Sequence, residues 1–526
     1  MAALARRRVV VNVLRVFWVL LIFWYEYATF SASVHSCKWP DSAIYMGGKE
    51  NVTQTRPAHV LLVADPQIID RNSYPTRSSF SAYLTRLIVD LNLRKNWHAA
   101  IKKNPDAIVF LGDMMDNGRN AMSTAEYEEY YARFKHIFKA DHSIPQYFIP
   151  GNHDVGLGKA LQVSPHARSR YVAHFGPPNR KISIADHSLI LFDAPGYADE
   201  DSQRHGQKKT PKQWIPIRGG ALDFAKKYGS EEHKDPVVLF SHIPLYRTDG
   251  KSCGPFRERG SIRPGVGPGY QNILEKQSSQ RLLELFKPVV IYSGDDHDYC
   301  EHYHQTSSPS GQPHIVREVT VKTISMVMNV KRPGFQLLSL VPSELRTEGL
   351  DTYADQLCLL PDQLRIYLNV YLPLLALSLL AVLASNVVTL SPAFQNRTTS
   401  DATVLFQADL EEADVAELNP RYAPLPQRRP PFISLMPTAL SENSFASRSN
   451  LRSPNWVGPP RQANLGDSRS IWLAQLRDSI LFCQQGRVRK PPRRRNVFST
   501  TLLDARDIAV FPLAVFVLIT WLVVTK

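Results

Sequence analysis

Three long apolar stretches stand out in the pattern of hydrophobic and polar positions along the chain. Residues 9–30, 366–390 and 508–525 each come close to or exceed the roughly 20 apolar residues that cross the core of a bilayer. We expect the first to be a membrane anchor and the other two to be transmembrane helices. For the first stretch, a signal peptide cleaved near the small residues 31–33 is the alternative.

Clusters of basic residues predict how these stretches are oriented. Arginines at positions 6 to 8 precede the first stretch, and an arginine-rich segment, 487–495, lies shortly before the third. Because Lys and Arg beside membrane spans favour the cytosolic side, we expect residues 1–8 and 391–507 to be cytosolic. Residues 31–365 then lie in the lumen of a secretory compartment or outside the cell.

The predicted cytosolic segment 391–507 is rich in Pro, Ser, Arg and Gln and shows no sustained periodicity. This composition is typical of disordered chain, so we expect a loop without a fixed fold. Its arginines could contact anionic lipid, or the loop could act only as a determinant of topology. In this topology the glycosylation sequon at Asn396 is cytosolic, whereas the sequon at Asn51 is lumenal.

Cysteines are few, and most lie on the predicted lumenal side. The chain has five, of which all but Cys483 fall between the first two apolar stretches: Cys37, Cys253, Cys300 and Cys358. No two are closely spaced, which excludes a metal site built from cysteines. Disulfides can form among the four in an oxidising compartment, and the sequence leaves their pairing open.

The lumenal region alternates between short β-branched runs and helical patterns. The runs end in polar clusters at Asp65, Asp113, Asp154, His242 and His297. Helical periodicity spans 79–103, 124–139 and 276–286. This alternation predicts an α/β domain over 57–345, with a lumenal linker at 31–56 and a juxtamembrane segment at 346–365. In such folds, residues at the carboxyl ends of strands form the binding site.

The overall charge of the chain is basic, which suits either nucleic acid or an anionic membrane. The 526 residues include 62 Lys and Arg against 48 Asp and Glu, a formal net charge of +14. The clearest arginine clusters flank membrane spans, so we expect membrane lipids as partners and no nucleic acid. Oligomeric state is left open.

The polar clusters together contain the ligand types of a two-metal site. They are Asp65-Pro66-Gln67, Gly112-Asp113, Gly151-Asn152-His153-Asp154, His242 and Gly294-Asp295-Asp296-His297. Hard divalent ions prefer carboxylate and amide oxygens, and imidazole suits Mn, Fe or Zn. A set that mixes all three types can hold two ions a few ångströms apart.

In order and spacing, these clusters resemble the motifs of the calcineurin-like metallophosphoesterases across residues 57–323. The resemblance implies a β-sandwich flanked by helices (αββα), joined here to transmembrane helices. It implies two divalent ions and gives seven positions the role of metal ligands: Asp65, Gln67, Asp113, Asn152, His242, Asp295 and His297. Asp113 would bridge the ions. His153 would be catalytic, acting on the leaving group or on phosphate charge, and Asp154 would hold it in place.

Two ligand positions depart from the usual pattern of that family. Gln67 stands where a histidine is usual, and Asp295 stands for the first histidine of GHxH. Oxygen donors in place of imidazole favour Mn over Zn. A domain that has lost one ion, and with it catalysis, is the alternative. Arg247 and Lys251 are further candidates for binding phosphate.

The membrane-bound layout is similar to the fungal Cdc-type and Ted-type proteins and their animal counterpart, the phosphodiesterases that remodel GPI anchors. The phrases Cys37-Lys38-Trp39-Pro40, Tyr246-Arg247 and Cys300-Glu301 carry this likeness. It implies a multi-pass protein of the endoplasmic reticulum or Golgi membrane that removes ethanolamine phosphate from a GPI mannose. Its partner would be a GPI glycolipid or a GPI-anchored protein. The alternatives are a phosphatase or phosphodiesterase for another lumenal substrate, phospholipid or nucleotide, and a catalytically weak scaffold or Mn-homeostasis protein.

Overall fold

A computed structural model describes residues 2–44, 56–158, 163–307, 313–346, 349–391 and 496–525. The chain divides into two compact units. The larger comprises Leu4–Ser385 with Thr501–Lys526, and the smaller comprises Met1–Ala3 with Asn386–Thr500. Both sheets and all of the predicted site residues belong to the larger unit. Most of the predicted cytosolic loop, 392–495, and the two sequons lie outside the described residues.

Strands and helices alternate through the domain, as the sequence predicts. The described strands are β1 (Ala58–Val63), β2 (Ala107–Phe110), β3 (Gln146–Phe148), β4 (Arg180–Ile184), β5 (His187–Phe192), β6 (Val237–Ser241), β7 (Val266–Gly267), β8 (Tyr270–Gln271), β9 (Val290–Ser293), β10 (Cys300–Ser307), β11 (Pro313–Thr320), β12 (Gly334–Leu340) and β13 (Tyr353–Leu359). The described helices are α1 (Ala2–Phe23), α2 (Thr29–His35), α3 (Ser79–Ile101), α4 (Thr124–Ile137), α5 (Asn152–Val155), α6 (Ala167–Phe175), α7 (Ala194–Gly206), α8 (Ala221–Gly229), α9 (Lys276–Phe286), α10 (Gln363–Arg365), α11 (Leu372–Leu390) and α12 (Val497–Thr525).

Two mixed sheets form the centre of the domain. One has the strand order β13-β12-β1-β2-β3 and the other β10-β11-β9-β6-β5-β4. In the first sheet, β1, β2 and β3 run parallel, and in the second β5, β6, β9 and β11 run parallel. The motif residues therefore leave the sheets at the carboxyl ends of neighbouring parallel strands.

The sheets pack face to face because side chains alternate between the two sides of each strand. Val60 and Leu62 of β1 join an apolar core with residues of the second sheet, such as Phe240 and Tyr292. Leu61, on the opposite face, packs with α3 and α4 instead. The outer face of the second sheet is covered by α7, α8 and α9. The predicted αββα sandwich is confirmed.

The carboxyl-terminal boundary of the domain differs from the prediction. The segment 346–365 was expected to be a juxtamembrane connection, but its residues Tyr353–Leu359 form β13, an edge strand paired antiparallel with β12. Its central Asp355 accepts hydrogen bonds at 2.6 Å from both Arg317 and Tyr292, so a polar residue is satisfied within the sheet. Distant partners of this kind leave no local signal in the sequence.

The expected linker at 31–56 is also partly helical and is tied to the domain. The first helix continues through a π-helical turn at Trp24–Ala28 into α2. Cys37, just after it, forms a disulfide with Cys358 of β13, with the Cα atoms 5.7 Å apart. A second disulfide joins Cys253 and Cys300, whose Cα atoms are 4.2 Å apart. The four cysteines between the first two apolar stretches are therefore all paired.

By length and composition, two helices in the described part of the chain could cross a membrane. They are Arg7–Ala43 and Gln363–Leu390, which cover the first two predicted spans. The third predicted span falls within α12, whose apolar side chains, such as Leu513 and Val517, are exposed. Within the larger unit, Arg7 pairs with Asp504 at 2.6 Å, so the start of the first helix lies beside α12.

Candidate metal centre

Five of the seven predicted ligands have left-handed backbone and lie in the loops that follow β1, β2 and β9. The φ angles of these five are positive: Asp65 45°, Gln67 35°, Asp113 53°, Asp295 66° and His297 69°. This conformation is uncommon for residues other than glycine, and it concentrates at functional sites. Each strand end therefore turns sharply and aims its side chain into the space between the strand termini.

One group of donor atoms surrounds Nε2 of the fully buried His242. Asn152 Oδ1 lies 3.1 Å from this nitrogen, Asp113 Oδ1 3.4 Å and Asp295 Oδ1 3.5 Å. The two carboxylate distances are long for hydrogen bonds. Donors that bind one ion at about 2.1 Å lie about 3.0–3.5 Å from one another, which matches this group.

Hydrogen bonds to backbone carbonyls fix the orientation of the two uncharged ligand side chains of this group, His242 and Asn152. His242 Nδ1 donates to the carbonyl oxygen of Leu111 at 2.7 Å, which leaves Nε2 with a free lone pair. The amide nitrogen of Asn152 donates to the carbonyl oxygen of Gly269 at 2.8 Å, which turns Oδ1 toward His242. Gly269 belongs to the β7–β8 turn and lies outside every sequence motif, so this contact could not be predicted.

A second group of donors comprises Asp65, Asp113 and His297. Each offers one ligand atom, and these atoms lie within 4.8 Å of one another. Asp65 is fully buried, and its Oδ2 has no hydrogen-bond partner among the described residues. A buried carboxylate oxygen without a partner is costly, and a cation would satisfy it. Asp113 belongs to both groups, as a bridging ligand must.

Gln67 lies beside the second group, but its amide nitrogen, rather than its oxygen, faces the donor atoms. Nε2 is 2.9 Å from Asp113 Oδ2 and 3.1 Å from His297 Nε2. The amide oxygen can take that position if the group turns by 180°, which exchanges two atoms of similar size. Gln67 is therefore in place to bind the ion held by His297, with Oε1 as its ligand atom.

The electrostatics of the centre also indicate a cation. Burial raises the pKa of Asp65 well above its usual value, and the charges of Asp113 and Asp295 raise it further. Burial would lower the pKa of His242, but Asp113 and the other carboxylates outweigh it and raise that pKa. Three carboxylates without enough positive charge around them are what a pair of divalent ions would neutralise. The donor set thus fits the implied metals.

Two glycines permit the close approach of the strand ends. A Cβ on Gly112 would lie 2.4 Å from His242 Nδ1, and one on Gly151 would lie 2.0 Å from Asp113 Oδ1. Gly112 also has φ +96°. Any side chain at either position would displace a ligand, which explains the glycine in the GD and GNHD motifs.

The orientation of His153 differs from the prediction. We expected Asp154 to hold this ring, but Asp154 accepts from the backbone N–H groups of Gly151 and Met115, at 3.0 and 3.2 Å. His153 Nδ1 instead lies 2.5 Å from the carbonyl oxygen of Asp116 and 3.5 Å from its carboxylate. Asp154 therefore fixes the loop backbone, and Asp116 orients the ring through Nδ1.

Arg247, a candidate for binding phosphate, forms an ion pair within the protein instead. It is buried and pairs with the buried Glu318 at 2.9 Å, and His304 contacts the same carboxylate at 2.6 Å. The expectation that Arg247 contacts a substrate phosphate is thus wrong, because its charge is already neutralised. Lys251 is exposed.

Comparisons with known proteins agree with this geometry. The family model for calcineurin-like phosphoesterases matches residues 58–299, the span of both donor groups. Cell division control protein 1 of Saccharomyces cerevisiae is 32% identical over 373 residues, 68% of this chain and 71% of the yeast protein. Metallophosphoesterase 1 of Xenopus laevis is 24% identical over 66% of this chain and 82% of its own length. The Rattus norvegicus protein of the same name is 23% identical over 72% and 91%.

Fold, donor set and relatives lead to one conclusion about chemistry. Divalent ions held by the two groups would offset the charge of a phosphoryl group and supply a nucleophile from water at neutral pH. The yeast relative is covered over more than two thirds of its length. The chain belongs to the calcineurin-like metallophosphoesterases and is a metal-dependent phosphoester hydrolase.

Proposed function

We propose that this chain is a membrane-bound phosphodiesterase that removes ethanolamine phosphate from a mannose of GPI anchors in the lumen of the endoplasmic reticulum or Golgi. The observation that carries the catalytic part is the pair of donor groups that share Asp113. The substrate part rests on the similarity to the GPI-remodelling family. Its substrate would be a GPI glycolipid or a GPI-anchored protein.

The donor chemistry supports Mn as the metal of both positions. Asp295 adds a carboxylate beside His242, and Gln67 offers an amide oxygen beside His297. Oxygen-rich sites with one imidazole each suit Mn better than Zn. Mn content after purification, measured against Zn in the same sample, tests this assignment.

His153 is the residue we propose acts on the leaving group. Its Nδ1 is hydrogen-bonded to the carbonyl oxygen of Asp116, so Nε2 is the ring nitrogen available to a substrate. A proton on Nε2 can pass to the departing oxygen, and the Asp116 carboxylate can stabilise the charged ring beforehand. The backbone N–H of His153 donates to Asp113 at 2.8 Å, which keeps the ring next to the centre.

Two features support a lumenal location for this chemistry. The paired cysteines, Cys37 with Cys358 and Cys253 with Cys300, suit an oxidising compartment. The candidate spans enter and leave the same domain, and the basic residues that flank them favour the cytosolic side. The domain then faces the lumen, where GPI anchors are assembled on the membrane.

The direct test is release of ethanolamine phosphate from defined GPI glycans by the purified full chain with Mn. Bis(4-nitrophenyl) phosphate serves as a generic diester in parallel. We expect both to be cleaved, with the GPI glycan preferred. Cleavage of the aryl diester alone would support the hydrolase assignment and contradict the GPI substrate. Cleavage of neither substrate, with both metal positions filled, would favour the scaffold alternative.

A further inference from the structure

A large cavity lies between the metallophosphoesterase domain and the start of the second candidate span. Its volume is 790 Å³, and its walls come from the chain before and within α3, from residues 326–331, and from residues 362–369. None of its lining residues is a ligand of the metal centre. The cavity is therefore a separate feature of the same unit.

The polar part of this cavity is strongly basic. Four cations line it: Arg77, Arg259, Lys331 and Arg365. All four are exposed, and none forms a salt bridge within the described residues. The single acidic residue of the lining, Asp362, accepts a hydrogen bond from the backbone N–H of Arg365. Four cations against this one carboxylate give the lining a net positive charge, which attracts an anion.

Another part of the lining is apolar and continues into the candidate span. Leu364 and Leu368 line the cavity, are exposed, and belong to the helix Gln363–Leu390. A ligand that fills the whole cavity must then combine a negatively charged group with hydrocarbon. A phospholipid of the surrounding bilayer has this form.

The adjoining helix α3 presents an unpartnered apolar stripe. Its exposed members recur at helical spacing: Phe80, Tyr83, Leu84, Leu87 and Ile88. Phe80 is 73% exposed, and Ile88 also lines the cavity. The structure leaves this face uncovered. Exposed apolar stripes next to membrane spans are typical of helices that lie in the interfacial region of a bilayer.

We propose that this cavity binds an anionic phospholipid of the membrane, with the phosphate among Arg77, Lys331 and Arg365. The acyl chains lie along Leu364 and Leu368, and the α3 stripe rests in the headgroup region beside them. Clustered Lys and Arg at a membrane surface favour anionic lipid in this way. The inference does not depend on the GPI substrate.

The chain segment that leads into the cavity wall is hydrogen-bonded to the backbone of the metal centre. The backbone N–H of Thr323 donates to the carbonyl of His297 at 3.0 Å, and its hydroxyl donates to the carbonyl of Asp65 at 2.7 Å. The chain from Thr323 then runs into the cavity wall at residues 326–331. A lipid bound there places the metal centre at a fixed position next to the bilayer.

Lipid binding can be measured without reference to activity. Purified full-length protein in neutral detergent is titrated with phosphatidylserine and, separately, with phosphatidylcholine, and bound lipid is counted by native mass spectrometry. We expect at least tenfold tighter binding of phosphatidylserine. The triple variant Arg77→Gln, Lys331→Gln and Arg365→Gln should lose this preference.

A matched control carries the same charge change on another face of the domain, at the exposed residues Lys208→Gln, Lys212→Gln and Lys234→Gln. We expect it to bind phosphatidylserine within twofold of wild type. Equal loss in both triple variants, or none in the cavity variant, would overturn the proposal. Competition by inorganic phosphate at millimolar concentration would also overturn it, because the site would then recognise free phosphate rather than a lipid.

The double variant Phe80→Ser with Leu87→Ser tests the apolar stripe of α3. The control is a double variant at two other exposed residues, Ile215→Ser with Ile217→Ser. All four side chains are exposed, so folding should be retained, and unfolding temperatures check this. We expect the α3 variant to bind phosphatidylserine at least threefold more weakly and the control to be unchanged. Unchanged binding by the α3 variant would show that the stripe does not contact the lipid.

Discussion

Lys95 of α3 forms an ion pair with Glu26 of the first candidate membrane helix, with Nζ 2.5 Å from Oε2. Both side chains are buried. Lys95 also donates to Gln363 at 2.8 Å, and Tyr371 donates to Glu26 at 2.8 Å. One polar cluster therefore joins the catalytic domain to both candidate spans.

The first prediction is that Lys95→Met destabilises the full chain in detergent by on the order of 3–5 kcal/mol, because it leaves Glu26 buried and unpaired. The exposed pair of Lys227 and Asp223, 2.7 Å apart, supplies the control. Lys227→Met should cost no more than about 1 kcal/mol. The double variant Lys95→Met with Glu26→Gln should recover much of the loss. Equal unfolding midpoints for the two single variants would contradict the account.

The second prediction concerns acid stability. Burial would raise the pKa of Glu318, but Arg247 and His304 outweigh it and lower the pKa from 4.5 to about 2. Ionised Glu318 therefore stabilises the fold above about pH 4.5, and this contribution is lost as the pH falls toward 2. Glu318→Gln should be less stable than wild type at pH 7, and the difference should shrink between pH 4.5 and pH 3.

Denaturant midpoints at pH 7, 4 and 3 measure this difference. Glu284→Gln, at an exposed position of α9, is the matched control and should show no pH-dependent difference from wild type. A Glu318→Gln deficit that is the same at all three pH values would mean that folding does not lower the pKa of Glu318, which would contradict the account.

The third prediction concerns topology. With the domain in the lumen, Asn51 should carry N-linked glycan and Asn396 should not. Non-reducing peptide mapping of the same material should find Cys37 joined to Cys358 and Cys253 joined to Cys300. Glycosidase treatment of the Asn51→Gln and Asn396→Gln variants identifies the modified site, because the variant that lacks this site carries no glycan to remove. Glycan at Asn396 would place the basic loop in the lumen and reverse the proposed orientation.

The sequence predicts the layers of the fold well because strand and helix periods are local. The helix expected at 276–286 has these bounds in the structure, and the motif residues do follow parallel strands. This local reasoning does not predict the edge strand β13. Its Asp355 and Gln356 look like loop residues, and only pairing with distant Arg317 and β12 makes an extended strand favourable.

Within the site, the side chains that gather at the strand ends could be predicted, but their backbone partners could not. The motif identifies His153, whereas the carbonyl of Asp116 that orients it is a group every residue carries. The same holds for Gly269, whose carbonyl fixes Asn152. For α3, periodicity predicts an apolar face at Tyr83 and Leu87, but it does not state what covers that face.

The fourth prediction is that His153→Gln lowers turnover by about 10² to 10⁴ while both ions stay bound, because the variant loses a proton donor and no ligand. The loss should be smaller for a nitrophenyl ester, whose leaving group needs no proton. His166→Gln, at an exposed position before α6, serves as the control and should be neutral. Equal losses for both leaving groups would assign His153 to charge stabilisation at phosphorus instead.

The fifth prediction follows from the position of Asp113 in both donor groups. Asp113→Ala should reduce metal content to below one ion per chain, and added Mn should no longer raise its unfolding temperature. Asp235→Ala, a change of the same kind at an exposed position, should respond to Mn as wild type does. If Asp113→Ala still binds two ions, Asp113 is not a bridging ligand.

The central claim, that these donor groups hold the ions that hydrolyse a phosphodiester, is tested most directly by one rate measurement. Hydrolysis of bis(4-nitrophenyl) phosphate with Mn is compared between wild type and Asp113→Ala, each before and after chelation. We predict hydrolysis by wild type that chelation abolishes and added Mn restores. We predict a loss of about 10³-fold or more in the variant, since several kcal/mol of transition-state stabilisation come from the ions. A variant that keeps more than about a tenth of the wild-type rate would contradict the account.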